Sequence, residues 1–201
     1  MMNDIILYLD YLFPNPKCEL NYNKDYELLI ATMLSAQTTD KRVNSVTSVL
    51  FSKYSNLSLL ARADVNDIIN IIRSIGTFNK KAKNVIEISK RLLDYGYVPN
   101  DRNFLESLPG VGRKTANVVL GNIYNEPLIA VDTHVARVSI RLGIAKVGDD
   151  VLTIERKLNC KFPKDKLCRL HHQLVLFGRY YCTAKNPKCS SCHLKERCCF
   201  K

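Results

Sequence analysis

The chain has 201 residues, 46% of them hydrophobic and 24% charged, a composition that excludes a disordered or fibrous protein and can fill one core or two of about 100 residues each. Thirty Lys and Arg against 19 Asp and Glu leave a formal charge of +11, spread through every segment. A polyanionic partner is expected, the competing reading being a basic surface that only water solvates.

Residues 1–4 carry no basic leader, and the apolar stretch Ile5 to Phe13 is interrupted by Asp10 and stopped by Pro14, too short to cross a bilayer. The chain is expected to be cytoplasmic, bacterial-type and nucleoid-associated, monomeric and without a membrane partner. Its eight cysteines would then stay reduced unless a metal or catalysis occupies them.

Helical spacing continues along almost the whole chain and no run alternates apolar with polar residues, so the fold class is all-α. Asp25 caps a helix through Leu28, Leu29, Met33 and Ala36, and Thr38, Thr39 and Asp40 start another carrying Val43, Val46 and Leu50. Asp64 opens a helix that stops at Gly76; the next holds Ala82, Val85, Ile86 and Leu93 and ends before Gly96. A short helix spans Asn103 to Leu108. Further helices cover His134 to Leu142, Val151 to Asn159 and Leu167 to Phe177, which Gly178 closes before a tail rich in Cys and Lys.

The segment Leu108-Pro109-Gly110-Val111-Gly112-Arg113-Lys114-Thr115-Ala116 places two glycines in a tight turn between helices. A helix-hairpin-helix follows, whose outward N–H groups at Gly110 and Gly112, with Arg113, suit a DNA phosphate. The plainer reading is a helical hairpin turn with no ligand. Lys114 stands in a first turn that ordinarily prefers acids, and a neighbouring cation at the positive helix end favours the uncharged amine that a nucleophile needs. Its alternative is a second phosphate contact beside Arg113. The run Ile129-Ala130-Val131-Asp132 ends in an Asp at the cap of the next helix, by itself a structural feature, and His134 receives no role. Four cysteines follow as Cys182-x6-Cys189-x2-Cys192-x5-Cys198. Such a set can hold zinc or a [4Fe-4S] cluster, with base rates favouring zinc. Cys18, Cys160 and Cys168 read as small buried hydrophobes.

Taken together, the hairpin, the Val-Asp-Thr-His segment and the cysteine pattern resemble the endonuclease III family of DNA glycosylases, from about Asp25 to Cys198. The resemblance implies a [4Fe-4S] cluster on Cys182, Cys189, Cys192 and Cys198, overturning the zinc preference and leaving Cys199 spare. It implies Lys114 as the nucleophile and Asp132 as the catalytic carboxylate. Leu34-Ser35-Ala36-Gln37-Thr38-Thr39-Asp40 is similar to the family's segment whose Gln enters the space left by a flipped nucleotide, so Gln37 inherits that role; a loop amide capping the next helix is the alternative. After Ile75-Gly76 stand Thr77 and Phe78, where relatives carry an apolar wedge. The resemblance also implies two lobes, a six-helix barrel with the hairpin over 18–126 and a cluster lobe over 1–17 plus 127–201. DNA would lie across their cleft, where Lys114 and Asp132 would meet with the sugar between them, and Lys185 and Lys188 would contact phosphates.

The expected function is a bifunctional DNA glycosylase and AP lyase acting on oxidised pyrimidines in double-stranded DNA that contains damaged bases or abasic sites. An adenine-mispair glycosylase is disfavoured because Leu28 to Thr39 holds no carboxylate, and an 8-oxoguanine enzyme because it lacks the four-cysteine tail. A non-catalytic hairpin module is the rival from another class, against which the retention of both Lys114 and Asp132 weighs.

Overall fold

The computed structural model describes residues 2–200, which form eleven α-helices and three 3₁₀ turns, with no strand among the described residues. The chain divides into two compact units, one spanning Cys18–Tyr124 and the other joining the segment up to Lys17 with the chain from Asn125 onward. None of the described helices is long and apolar enough to cross a membrane.

In the unit Cys18–Tyr124 the helices are α2 (Asp25–Leu34), α3 (Asp40–Lys53), α4 (Leu57–Ala61), α5 (Val65–Ile72), α6 (Phe78–Leu93), α7 (Arg102–Ser107) and α8 (Arg113–Tyr124). All of α2 from Tyr26 to Leu34 is buried, so it forms the centre; a helix apolar all round is stable only when others enclose it. Helices α3, α6 and α8 pack against it, and α6 also supports α4 and α5. Leu28, Ile30, Leu34, Leu50, Ile68, Ile88 and Leu92 are wholly buried there, each contributing about 1.5–3 kcal/mol.

Local capping explains most boundaries. Asp64 Oδ1 accepts from the Asn66 N–H at 2.6 Å, and Asp101 Oδ1 from those of Asn103 and Phe104 at 2.8 and 3.1 Å, which satisfies otherwise orphaned donors. The expectation for Asp25 needs correction: Lys24 occupies the cap position, and Asp25 lies inside the helix. Glu27 accepts from the N–H groups of Asn23 and Lys24, and Asp25 Oδ2 accepts from the Val98 N–H at 2.6 Å. That bond spans 73 residues, beyond any local pattern. Helix α2 stops at Leu34, before Ala36, and α5 at Ile72, before Gly76. The short α4, capped by Asn56 accepting from Leu59 N–H at 2.9 Å, has no counterpart among the predicted elements.

The second unit contains α1 (Met2–Leu12), α9 (Thr133–Arg141), α10 (Val151–Lys161) and α11 (Leu167–Tyr180). Helices α1 and α9 pack on α11, and α10 packs on α9. Leu9, Ile129, Val135, Val138, Leu158, Leu174 and Phe177 fill the core. Asp10 Oδ1 accepts from Arg169 Nε at 2.7 Å and Gln173 Nε2 at 2.9 Å, tying α1 to α11. Gly178 does not close α11; it lies within the helix, and a Cβ there would come within 2.8 Å of His134 Cβ. Its role is close helix approach, not termination. Cys160 is exposed and Cys18 and Cys168 are half-buried, so the expectation of three buried thiols fails.

Candidate active site

Helix α7 ends at Ser107 and α8 begins at Arg113, leaving the expected hairpin turn over 108–112. The Val111 N–H donates to Leu108 O at 3.1 Å, and the Gly112 carbonyl accepts from Ala116 N–H at 3.0 Å to start α8. The first turn of α8 contains no acid, and Arg113 and Lys114 are both exposed in it. Gly110 has φ 79°, and a Cβ would lie 2.5 Å from Asn84 Nδ2 and 3.3 Å from Met33 Cγ; at Gly112 nothing comes within 4 Å of one. The two glycines therefore do different work. Gly110→Ala is expected to cost about 1–3 kcal/mol, from left-handed strain and overpacking. Gly112→Ala should stay within about 0.5 kcal/mol of the parent, because a Cβ there enters open space. Thermal melts on the two variants check this.

The Gln37 loop connects α2 to α3. Gln37 is exposed with φ 57°, and Thr77, the cap residue of α6, is exposed with φ 55°. Left-handed backbone is tolerated by Asn but is an outlier for β-branched Thr. Phe78 is half-buried as the first residue of α6, so of the two wedge candidates Thr77 is the more exposed. Lys81, which nothing in the sequence singled out, is buried at 4% exposure, and its Nζ donates to Leu34 O at 2.8 Å and Ala36 O at 2.7 Å. Burial pushes its ammonium below the ordinary lysine range.

Asp132 caps α9 as expected: Oδ1 accepts from the N–H groups of His134 and Val135, both at 2.8 Å. The second carboxylate oxygen takes part in neither bond. His134 packs against Gly178, and its Nδ1 lies 3.2 Å from Arg137 Nη2. Arg137 and Arg141 were not anticipated. They lie one helical turn apart on α9, flanked by Ala136, Val138 and Ile140, and a pair of Arg at that spacing was the available signal. Arg137 donates to Gly178 O at 2.6 Å and Cys182 O at 3.2 Å. Arg141, 8% exposed, donates to Thr183 O at 2.7 Å, Ala184 O at 3.2 Å and Cys182 Sγ at 3.3 Å, and Phe200 stacks on its guanidinium at 3.9 Å.

Cys182, Cys189, Cys192 and Cys198 line one small cavity walled by Leu142, Phe177, Tyr181 and Pro187. Burial pushes the Cys192 and Cys198 thiols up, and the neighbouring cysteines add to the shift. The thiols surround a space without converging on a point: among the described residues no three His, Cys, Asp or Glu side chains meet the spacing of a single-ion site. Cys199 is exposed and its N–H donates to Arg141 O at 2.7 Å. Lys185 and Lys188 are exposed on the loop between the first two cysteines, with Lys188 Nζ 5.2 Å from the Tyr181 ring centroid. Lys114 belongs to the unit Cys18–Tyr124 and Asp132 to the other.

Residues 30–164 match the model of the HhH-GPD superfamily of base excision DNA repair proteins. Endonuclease III of Bacillus subtilis (strain 168) is 47% identical over 93% of this chain and 86% of its own length. Endonuclease III of Escherichia coli (strain K12) is 44% identical over 94% of this chain and 90% of its own. A solved non-covalent endonuclease III–DNA complex has a TM-score of 0.93 at 44% identity, covering 98% of this chain and 93% of that one. A thermostable thymine-DNA glycosylase shares the fold with a TM-score of 0.81 at 22% identity, covering 98% of this chain and 95% of that one. The matched superfamily spans the glycine hairpin, Lys114 and Asp132, and the relatives cover nearly the whole chain: this protein belongs to the endonuclease III family.

Proposed function

We propose that this protein is a bifunctional DNA glycosylase and AP lyase of base excision repair, which removes oxidised pyrimidines through a Schiff base on Lys114 and cuts the strand 3′ to the abasic site. The observation that carries the reading is an exposed lysine next to Arg113 in an acid-free helix start, directly behind a hairpin whose Gly112 leaves open space. In this reading 18–126 is the six-helix barrel domain with the hairpin, and 1–17 plus 127–201 is the cluster domain.

The target base is unreachable inside a duplex, so the nucleotide is flipped out at a cost of a few kcal/mol, which damage lowers. Gln37 enters the vacated space. Gly110, Gly112 and Arg113 hold one stretch of backbone, and Lys185 and Lys188 another, by charge and N–H donation that read no sequence. The neutral Lys114 amine bonds to C1′ as the bond from C1′ to the base breaks; the base leaves with that electron pair and takes a proton. Asp132 stabilises the positive charge at C1′ and assists the proton transfer. The sugar ring opens to a lysine imine, C2′ loses a proton, the 3′ phosphate departs, and water releases the amine.

The donor set fits a [4Fe-4S] cluster: four soft sulfurs line one cavity with apolar walls, and an Arg N–H donates to the first. Cys182, Cys189, Cys192 and Cys198 would hold it, and the cluster would supply a structural crosslink that shapes the Lys185–Lys188 loop. Arg141 and Arg137 brace the same loop from α9 through its carbonyls.

The test is a panel of duplexes containing thymine glycol, uracil, an abasic site, or A opposite 8-oxoguanine. Cleavage is expected at thymine glycol and the abasic site. Binding without cleavage at either would leave the non-catalytic hairpin module standing, and cleavage confined to the A mispair would favour the adenine-mispair enzyme. Binding should also weaken with salt. Three cations on phosphates, Arg113, Lys185 and Lys188, predict a log–log slope of roughly −2.7, and a slope near zero would remove the phosphate roles.

A further inference from the structure

Among the described residues, four other than glycine have left-handed backbone: Gln37, Thr77, Asn125 and Asn186. Asn adopts this conformation at little cost, whereas Gln and Thr cost about 1–3 kcal/mol and persist only where their surroundings hold them. Both strained segments are bonded to one residue, Lys81, the Thr77 turn through its backbone and the Gln37 loop through its side chain. The Lys81 N–H donates to Thr77 O at 3.1 Å as the first helical bond of α6. Its Nζ donates to Leu34 O and Ala36 O, with Thr38 Oγ1 at 3.5 Å, so its acceptors lie on both sides of Gln37. Arg42 Nη1 adds a link from α3 to Ser74 O at 3.3 Å, on the turn leading to Thr77. One helical turn beyond Lys81 on α6, Asn84 lies against Gly110 of the hairpin.

Removing an ammonium from water is expensive unless oxygens receive its protons. An apolar residue at 81 would pack in the same space without that penalty, so helix stability alone gives no reason for a buried cation here. What the cation supplies is convergence: three proton donors at one point draw in the last carbonyls of α2 and the loop beyond them.

We infer that Lys81 is a positioning residue that clamps the Gln37 loop to the Thr77 turn, so that the two strained elements meet DNA as one preformed edge. The inference rests on the reading of Gln37 as the residue that fills the space left by the flipped nucleotide. Without the ammonium the Gln37 loop loses its tie to the start of α6, and ordering it against the Thr77 turn becomes part of every encounter with duplex DNA. A displacement of about 1 Å in such an element costs up to about 10²-fold in rate. The effect is specific to duplex substrate, since a single-stranded abasic oligonucleotide has no partner strand and no vacated stack to fill.

The experiment measures single-turnover rates on duplex thymine glycol and on a single-stranded abasic oligonucleotide, for the parent, Lys81→Met, Gln37→Ala and the double variant, with folding checked by circular dichroism. Lys81→Met is expected to lose about 10- to 100-fold more on the duplex than on the single strand. Gln37→Ala should show the same selectivity, and the double variant should be little worse than Gln37→Ala alone. If Lys81→Met loses equally on both substrates while Gln37→Ala is selective, Lys81 is a helix brace and the inference fails by itself. If Gln37→Ala shows no selectivity, the reading of Gln37 fails and takes the inference with it. Should Lys81→Met not fold, Lys81→Gln keeps two donor protons at shorter reach, with the same expected and overturning results.

Discussion

Lys114→Ala is expected to eliminate borohydride trapping of a protein–DNA adduct and to lower the single-turnover rate on thymine glycol by on the order of 10³-fold or more. Borohydride reduces only an imine, so the trapped species reports the bond between the ε-amine and C1′. The fold should survive the change. Lys114 is exposed in the first turn of α8, where a cation opposes the aligned peptide dipoles and its removal gains about 0.3–1 kcal/mol. Alanine is also the better helix former. The variant should therefore melt at or above the parent temperature, by up to about 2–4 °C in a chain of this size. A residue kept for structure loses stability when removed; one kept for chemistry at the cost of local stability shows the reverse. Arg113→Ala is the control: it touches the same helix end and should trap normally while binding DNA more weakly. Persistent trapping in Lys114→Ala would move the nucleophile elsewhere.

The features legible in the sequence are those whose physics is local. The glycine turn before Arg113, the Asp132 cap and the spacing of the four cysteines are each determined within a few residues, and the structure forms the turn, makes the cap bonds and places the four cysteines around one cavity. Asp25 misled because its carboxylate is claimed by Val98, 73 residues away. Gly178 misled because a glycine that ends a helix and one that admits a neighbouring helix look alike in one dimension; only the approach of His134 distinguishes them. Lys81, and the burial of Arg141 although not its spacing from Arg137, could not be read for a related reason. Composition rules place Lys and Arg at the surface, and what buries these two is a set of backbone carbonyls and a sulfur from distant segments. Asn84, buried at 8% exposure beside Gly110, is a further polar residue that the sequence did not mark as buried. Buried polar groups satisfied by remote backbone are the class of feature that periodicity cannot show, and in this chain they lie beside the Gln37 loop and the cysteine loop.

Asp132 separates two roles that a single alanine substitution would confound. Its Oδ1 caps α9 through the N–H groups of His134 and Val135, and the proposed chemistry needs the negative charge of the carboxylate. Asparagine caps a helix as well as aspartate does but carries no charge. Asp132→Asn should therefore melt within about 0.5 kcal/mol of the parent while losing about 10²- to 10⁴-fold in the single-turnover rate on thymine glycol, the range for removing a charge-stabilising or proton-transferring group. Asp132→Ala should lose a similar factor in rate and also about 1 kcal/mol of stability. The loss would be felt along α9, which carries Arg137 at its middle and Arg141 at its other end, with their bonds to the cysteine loop. The comparison reads melting temperature and rate on the same samples. If Asp132→Asn retains both, the carboxylate serves only as a cap and Lys114 acts without it; if asparagine keeps the melt and loses the rate, the charge itself works on the sugar.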